Sequence, residues 1–177
     1  MDFASKIYFY NFESVKILYS NLPMERTLVI LKPSAIQRGI IGEIITRFEK
    51  KGLVLIGLKM MQLNDAILNI HYSHLAEKPY FNRVKSSMMA CPVIVCCWEG
   101  KDAINVVHNM AGATNGRNAL PGTIRGDYSM SHQENIVHTS DSVETARKEL
   151  NLFFTNQELY NYQLAPVKYL YGEDEID

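Results

Sequence analysis

The chain has 177 residues, of which 47% are hydrophobic and 21% charged, with a formal net charge of -1. That length suits one domain with a core of ordinary size. The near-neutral balance argues against a broadly basic nucleic-acid surface, and no run approaches the roughly 20 apolar residues of a transmembrane helix.

Residues 1–23 hold short apolar pieces such as Ile7-Tyr8-Phe9-Tyr10, interrupted by Asp2, Lys6, Glu13 and Lys16. They contain no continuous apolar stretch of a secretory signal and read as a poorly packed extension or a start-site artefact. Met24 is a plausible alternative start, so the folded domain is expected over 24–177.

Thr27 to Leu31 is a continuous apolar run, as in a strand buried on both faces, and Lys32-Pro33 stops it. Ile40, Ile41, Ile44, Ile45 and Phe48 recur at helical spacing, ending near Lys50-Lys51-Gly52. Leu53 to Met61 reads as a second strand. Asn64-Asp65 reads as the cap of a helix carrying Ile67, Leu68, Tyr72 and Leu75, and Arg83 to Met89 as a short helix. Pro92 to Trp98 forms a third strand and Lys101 to Met110 a helix. Ala111 to Ser131 shows no clear period. Ile136-Val137 belongs to a fourth strand, closed by His138, and Val143, Ala146, Leu150 and Phe153 mark a last amphipathic helix. The order is that of an α+β, ferredoxin-like βαββαβ antiparallel sheet with inserted helices and one long loop.

Cys91, Cys96 and Cys97 lack the spacing of a disulfide framework, and the adjacent pair points to opposite faces of its strand. Buried thiols in a reducing compartment are expected, not a metal site. His71 and His74, three apart, hint at a metal, but without a third ligand nearby they read as a helix face beside a cleft.

The long loop carries Thr114 and Arg125, a hydroxyl and a guanidinium suited to phosphate. Lys32 brings an ammonium to the end of a buried strand, where it is either snorkelling or gripping an anion. Neither a phosphate-binding G-x-x-x-x-G-K-[ST] loop nor the protein-kinase motifs are present.

Taken together, these residues resemble the nucleoside diphosphate kinase family from about Glu25 to Tyr171. The resemblance rests on Lys32-Pro33 with Gln37-Arg38-Gly39, His71-Tyr72, Pro79-Tyr80-Phe81, Trp98-Glu99-Gly100, Pro121 to Asp127, and Asn135-Ile136-Val137-His138 with Ser140-Asp141-Ser142. It implies transfer of the γ-phosphoryl group of a nucleoside triphosphate, typically ATP, to a nucleoside diphosphate by a ping-pong route, maintaining NTP and dNTP pools. His138 is implied as the nucleophile, forming a pros-phosphohistidine. Chemistry agrees, because an imidazole at its ordinary pKa of about 6.5 is largely neutral and nucleophilic at pH 7.

The resemblance further implies that Glu149, with Ser140, orients the histidine and that Tyr72 lies close to it. Lys32, Thr114, Arg125 and Asn135 are implied as phosphate and ribose contacts, and Tyr80 as the ring on which the base stacks. Mg2+ is implied as cofactor, held mainly through nucleotide phosphates with no direct protein ligand. The implied partners are nucleoside tri- and diphosphates in a homo-oligomer (hexamer, tetramer or dimer), in the cytoplasm, with no nucleic acid or membrane partner.

Four positions depart from the family pattern. Ser34-Ala35 replace Asp-Gly, Thr139 follows the histidine where glycine is common, and His108 stands where an arginine normally contacts phosphate. Two other functions compete: a non-catalytic, regulatory relative of the same fold, and a ferredoxin-like RNA-binding module. The first is opposed by the presence of Lys32, Arg125 and His138. The second lacks both a basic surface and sheet-face aromatics in an R-G-F-x-F-type run.

Overall fold

The computed structural model describes residues 24–162, 164, 169–172 and 175. The extension at 1–23 lies outside the described residues. Met24–Leu164 form one compact unit. The described residues beyond it belong to a second, in which the Gly172 amide donates to Glu175 Oε2 at 2.8 Å and the Glu175 amide to the Gly172 carbonyl at 3.0 Å.

Four strands form one sheet: β1 (Glu25–Leu31), β2 (Val54–Met61), β3 (Val93–Gly100) and β4 (Val137–Thr139). Their order is β2-β3-β1-β4 and each neighbouring pair is antiparallel. That is the expected ferredoxin-like arrangement. β1 is central, and Leu28, Val29, Ile30 and Leu31 are all fully buried because helices cover both faces of the sheet. Each such side chain contributes about 1.5–3 kcal/mol of burial.

Alternation along β1 divides the core in two. Val29 and Leu31 face the layer holding α2 (Ile41–Lys50) and α5 (Ala103–Ala111), with Phe48 packed on Trp98 at a ring separation of 5.3 Å. Leu28 and Ile30 face a layer holding α3 (Asp65–His71), α4 (Phe81–Met88) and α7 (Val143–Phe153). Cys96 and Cys97 fall into opposite layers, as alternation requires. Burial pushes both thiols up to about 12, which makes them inert.

Several local expectations are corrected. The helix beginning at Asp65, capped by Asn64, ends at His71. Tyr72 is its cap residue and Ser73–Leu75 form a 3-10 turn, so Tyr72 and Leu75 are not on its helical face. Pro33–Gln37 form a short helix, α1, because proline at the first position suits a helix start. The loop after α5 is not structureless. It contains a 3-10 turn, Gly116–Asn118, and a short helix, α6 (Ile124–Tyr128), capped by the Thr123 hydroxyl. Val143 is 65% exposed, since the first turn of α7 projects beyond the core that Ala146, Leu150 and Phe153 join.

Candidate active site

His138 does not end β4 but is its middle residue, paired with Ile30. Opposed residues in an antiparallel pair share a face. The imidazole therefore points to the layer of α3 and α7, while Val137 and Thr139 point the other way. This places His138 between Glu149 on α7 and His71 at the end of α3.

The approach to His138 is strained. Ile136 has φ of 70°, a conformation that β-branched residues rarely adopt and that costs about 1–3 kcal/mol. Three successive carbonyls are held to maintain it. Arg125 Nε donates to Asn135 O at 3.3 Å, the Lys32 amide to Ile136 O at 2.9 Å, and Arg125 Nη2 to Val137 O at 2.9 Å. Arg125 Nη1 also donates to Gly112 O at 2.5 Å. Gly112 adopts φ of 80° with Thr123 packed where a Cβ would stand, so only glycine fits. Arg125 is thus buried and commits three of its five donors to the main chain, a structural task the sequence did not reveal.

Glu149 Oε1 lies 2.7 Å from His138 Nε2, and Glu149 Oε2 accepts from the Ser140 hydroxyl at 2.5 Å. No described residue hydrogen-bonds the other ring nitrogen, Nδ1, of His138. The His71 ring packs edge-on against His138 at 4.5 Å and against Tyr72 at 4.4 Å. His71 Nδ1 is 3.4 Å from Glu149 Oε1, yet neither of its nitrogens has a hydrogen-bond partner. Burial, aided by His138, His74 and Lys32, pushes the His71 imidazole down to about 2. The carboxylate acts the other way but is already engaged by His138 and Ser140. The sequence flagged His71 as half of a metal hint and, with Tyr72, as part of the family resemblance, but gave it no place at the site. Its place one helical turn after Leu68, on the buried side of α3, was the available signal.

Lys32 Nζ donates to Asn135 Oδ1 at 2.6 Å. The Asn135 amide donates in turn to the carbonyls of Thr114 at 3.0 Å and His132 at 2.9 Å. Burial, then the Arg125 charge, lowers Lys32 to about 8, with Glu134 opposing. Burial and the Glu149 charge hold the Tyr72 hydroxyl above its ordinary range, keeping it a donor. Lys32, Tyr72, Arg125, Asn135, His138, Ser140 and Glu149 are therefore brought together. Thr114 enters through its carbonyl with the side chain exposed, and Tyr80 stands 40% exposed before α4. His108 is exposed on the last turn of α5, its Nδ1 3.5 Å from Thr139 Oγ1.

Among the described residues, the side chains around His138 offer amide, ammonium and imidazole groups rather than a cage of oxygens. That fits a magnesium ion carried by phosphates. Among the described residues, the one convergent donor set is His71, His138 and Glu149, two nitrogens and one oxygen, which does not suit Mg2+.

A ferredoxin-like sheet with a histidine just after a strained Ile136, oriented by a buried carboxylate and flanked by cationic side chains, defines an α+β domain equipped for anion chemistry at an imidazole. The family model for nucleoside diphosphate kinase matches residues 25–159. A nucleoside diphosphate kinase of Parabacteroides distasonis is 66% identical over 153 residues, covering 86% of this chain and 100% of that protein. One from Pyrococcus horikoshii is 47% identical over 144 residues, covering 80% and 92%. A halophilic nucleoside diphosphate kinase from Halobacterium salinarum, solved in complex with CDP, superposes with a TM-score of 0.82 at 39% identity, covering 84% of this chain and 99% of that one. The chain belongs to the nucleoside diphosphate kinase family, enzymes that transfer a phosphoryl group between nucleotides.

Proposed function

We propose that the chain moves the γ-phosphoryl group of a nucleoside triphosphate to a nucleoside diphosphate through a phosphohistidine on Nδ1 of His138. The carrying observation is the engagement of Nε2 by Glu149 at 2.7 Å while Nδ1 stays unengaged. A neutral imidazole with its proton on Nε2, shared with the carboxylate, has its lone pair on Nδ1. In the first half-reaction an Nδ1–P bond forms and the bond from the γ-phosphorus to the bridging oxygen breaks, releasing the diphosphate. In the second, a terminal oxygen of the acceptor diphosphate attacks phosphorus and the Nδ1–P bond breaks. Glu149 stabilises positive charge developing on the ring, and Ser140 fixes the carboxylate.

Lys32, still largely protonated at pH 7, supplies charge beside the reacting group, with Asn135 orienting its ammonium. The two remaining donors of Arg125, the Thr114 hydroxyl and the Tyr72 hydroxyl complete the phosphate and ribose contacts. The exposed ring of Tyr80 provides a base-stacking plane, supported by the CDP bound to the Halobacterium relative. Mg2+, bound through the phosphates, supplies neutralising charge. A homo-oligomer belongs to the same reading, supported by edge strand β2 with Leu58 and Met60 exposed at 52% and 58%. So does residence in the cytoplasm, supported by three free cysteines. Among the described residues, no helix is long and apolar enough to cross a membrane.

The test is incubation with γ-labelled nucleoside triphosphate and magnesium, then a chase with a different diphosphate. Label should appear on the protein, resist base, be lost in acid and leave on adding diphosphate. His138→Ala should abolish labelling without unfolding the chain. Persistent labelling of that variant would reject the nucleophile.

A further inference from the structure

We propose that His71, His138 and Glu149 form a binding site for a borderline-soft divalent cation such as Zn2+, and that its occupation switches off phosphoryl transfer. The switching rests on the reading of His138 Nδ1 as nucleophile; the binding does not.

Three elements deliver the three ligands: the end of α3, the middle of β4 and the buried side of α7. Their ligand atoms all lie within 4.8 Å of one another. His138 Nε2 is 2.7 Å and His71 Nδ1 3.4 Å from the same oxygen, Glu149 Oε1. Two ligands of a tetrahedral zinc ion stand about 3.3 Å apart, given bonds of roughly 2.0–2.1 Å. Side-chain adjustments of about an ångström therefore close the set. The His71 side chain is only 1% exposed, and both of its ring nitrogens lack a partner. A buried imidazole left unpaired is a lone pair waiting for an acid. Burial keeps that ring neutral, the form that binds metal.

The donor set discriminates. Two imidazoles and one carboxylate suit Zn2+, Cu2+ or Ni2+, whereas Mg2+ requires an octahedron of oxygens. The outer shell is already present. Ser140 donates to Glu149 Oε2 at 2.5 Å, which leaves Oε1 to face the cation.

The consequence follows from imidazole valence. A neutral ring has one N–H and one lone pair in its plane. A cation on Nε2 takes the lone pair there, so the ring proton must stand on Nδ1. The Nε2 proton leaves to solvent and Nδ1 gains one from solvent, with no net change. Nδ1 then has no lone pair with which to attack phosphorus. The enzyme is held in the unreactive tautomer until the cation leaves.

The full chain without nucleotide should be titrated with Zn2+ by calorimetry, alongside His71→Phe, which keeps the ring packing and removes the ligand. We expect one site per chain that His71→Phe weakens roughly 100-fold or more, since an entire ligand is lost. Cys91→Ser and His74→Ala, which remove competing surface ligands, should retain it. At constant magnesium and nucleotide, micromolar Zn2+ should block phosphoenzyme formation in the parent protein, and a chelator should restore it. His71→Phe, measured against its own zinc-free rate, should lose that sensitivity. Co2+ added to the unaltered protein should give a tetrahedral visible band and shift the His71 and His138 ring-proton resonances, a readout that needs no variant. Zinc affinity unchanged in His71→Phe, or ring resonances unmoved by Co2+, would overturn the site. Zinc bound there with phosphoenzyme formation intact would overturn the switch. A failed nucleophile assignment shows separately, as labelling of His138→Ala in the absence of zinc.

Discussion

Glu149 grips His138 through Nε2 at 2.7 Å, and the same carboxylate is anchored by Ser140 through its other oxygen at 2.5 Å. One buried side chain on α7 thereby sets the tautomer, the ring orientation and the free edge of a histidine eleven residues earlier in the chain. The histidine is aimed by a helix on one face of the sheet, while the strained backbone of Ile136, two residues before it, is clamped from the other.

Replacing Glu149 by Gln tests the aiming. An amide can present either its oxygen or its NH2 to Nε2, so the ring spends part of its time in the wrong tautomer. Phosphotransfer should fall roughly 10–100-fold, the usual loss when the group orienting a functional histidine is changed. The fall should appear in kcat with little change in KM. Ser140→Ala should act in the same direction but less. It should also cost about 1–3 kcal/mol of stability in urea, because a buried carboxylate oxygen loses its donor. An unchanged kcat in Glu149→Gln would show that the carboxylate is only a packing element.

Arg125→Lys tests the backbone clamp. The guanidinium reaches the carbonyls of Gly112, Asn135 and Val137 at once, and a single ammonium cannot fork to all three. A loss of about 2–4 kcal/mol in urea unfolding is expected, together with weaker nucleotide binding. A variant that lost affinity but kept its stability would assign the residue to phosphate alone.

The sheet was legible because its strands are apolar runs closed by proline, glycine or charge, and because β-α alternation leaves few topologies. Lys32 and His138 were legible as charge or imidazole at the ends of such runs. The tertiary roles were not. The eleven-residue separation of His138 and Glu149 crosses a strand, a turn and a helix, so only the fold brings them together. That Arg125 also commits three of its donors to carbonyls was not legible, since a sequence does not show which backbone groups lack partners. Nor does composition announce that Ile136 adopts a left-handed backbone. That conformation is imposed by its neighbours and not by its own preference.

Lys32 gives a pH prediction with two signs. Burial lowers it to about 8, so the folded chain loses this proton well before the unfolded chain, whose lysines titrate near 10.5. Between those values the unfolded state binds more protons, and stability should rise with pH. Over the same interval the charge facing phosphate disappears, and nucleotide affinity should fall. Measuring a nucleotide dissociation constant and a urea midpoint at pH 7 and pH 9.5, in the parent chain and in Lys32→Gln, separates the two. The variant should bind weakly with a flatter profile and lose the added alkaline stability. Parallel profiles in both proteins would place the titration elsewhere.

His108 stands on the last turn of α5 with Nδ1 3.5 Å from the Oγ1 of Thr139, the residue that follows His138. Hydrogen bonds from Thr145 and then Ser142, with a smaller contribution from His108, hold the Asp141 carboxylate below its ordinary range. An imidazole meets phosphate as a cation only when protonated, whereas a guanidinium is charged at every working pH. His108→Arg should therefore strengthen nucleotide binding, by about 1.5–3 kcal/mol for one regained charge-assisted contact. Both proteins should carry His138→Ala, so that binding is measured without phosphoryl transfer, and be compared by calorimetry. Equal affinities would show that His108 serves Thr139 and Asp141 and leaves the phosphates to Lys32 and Arg125.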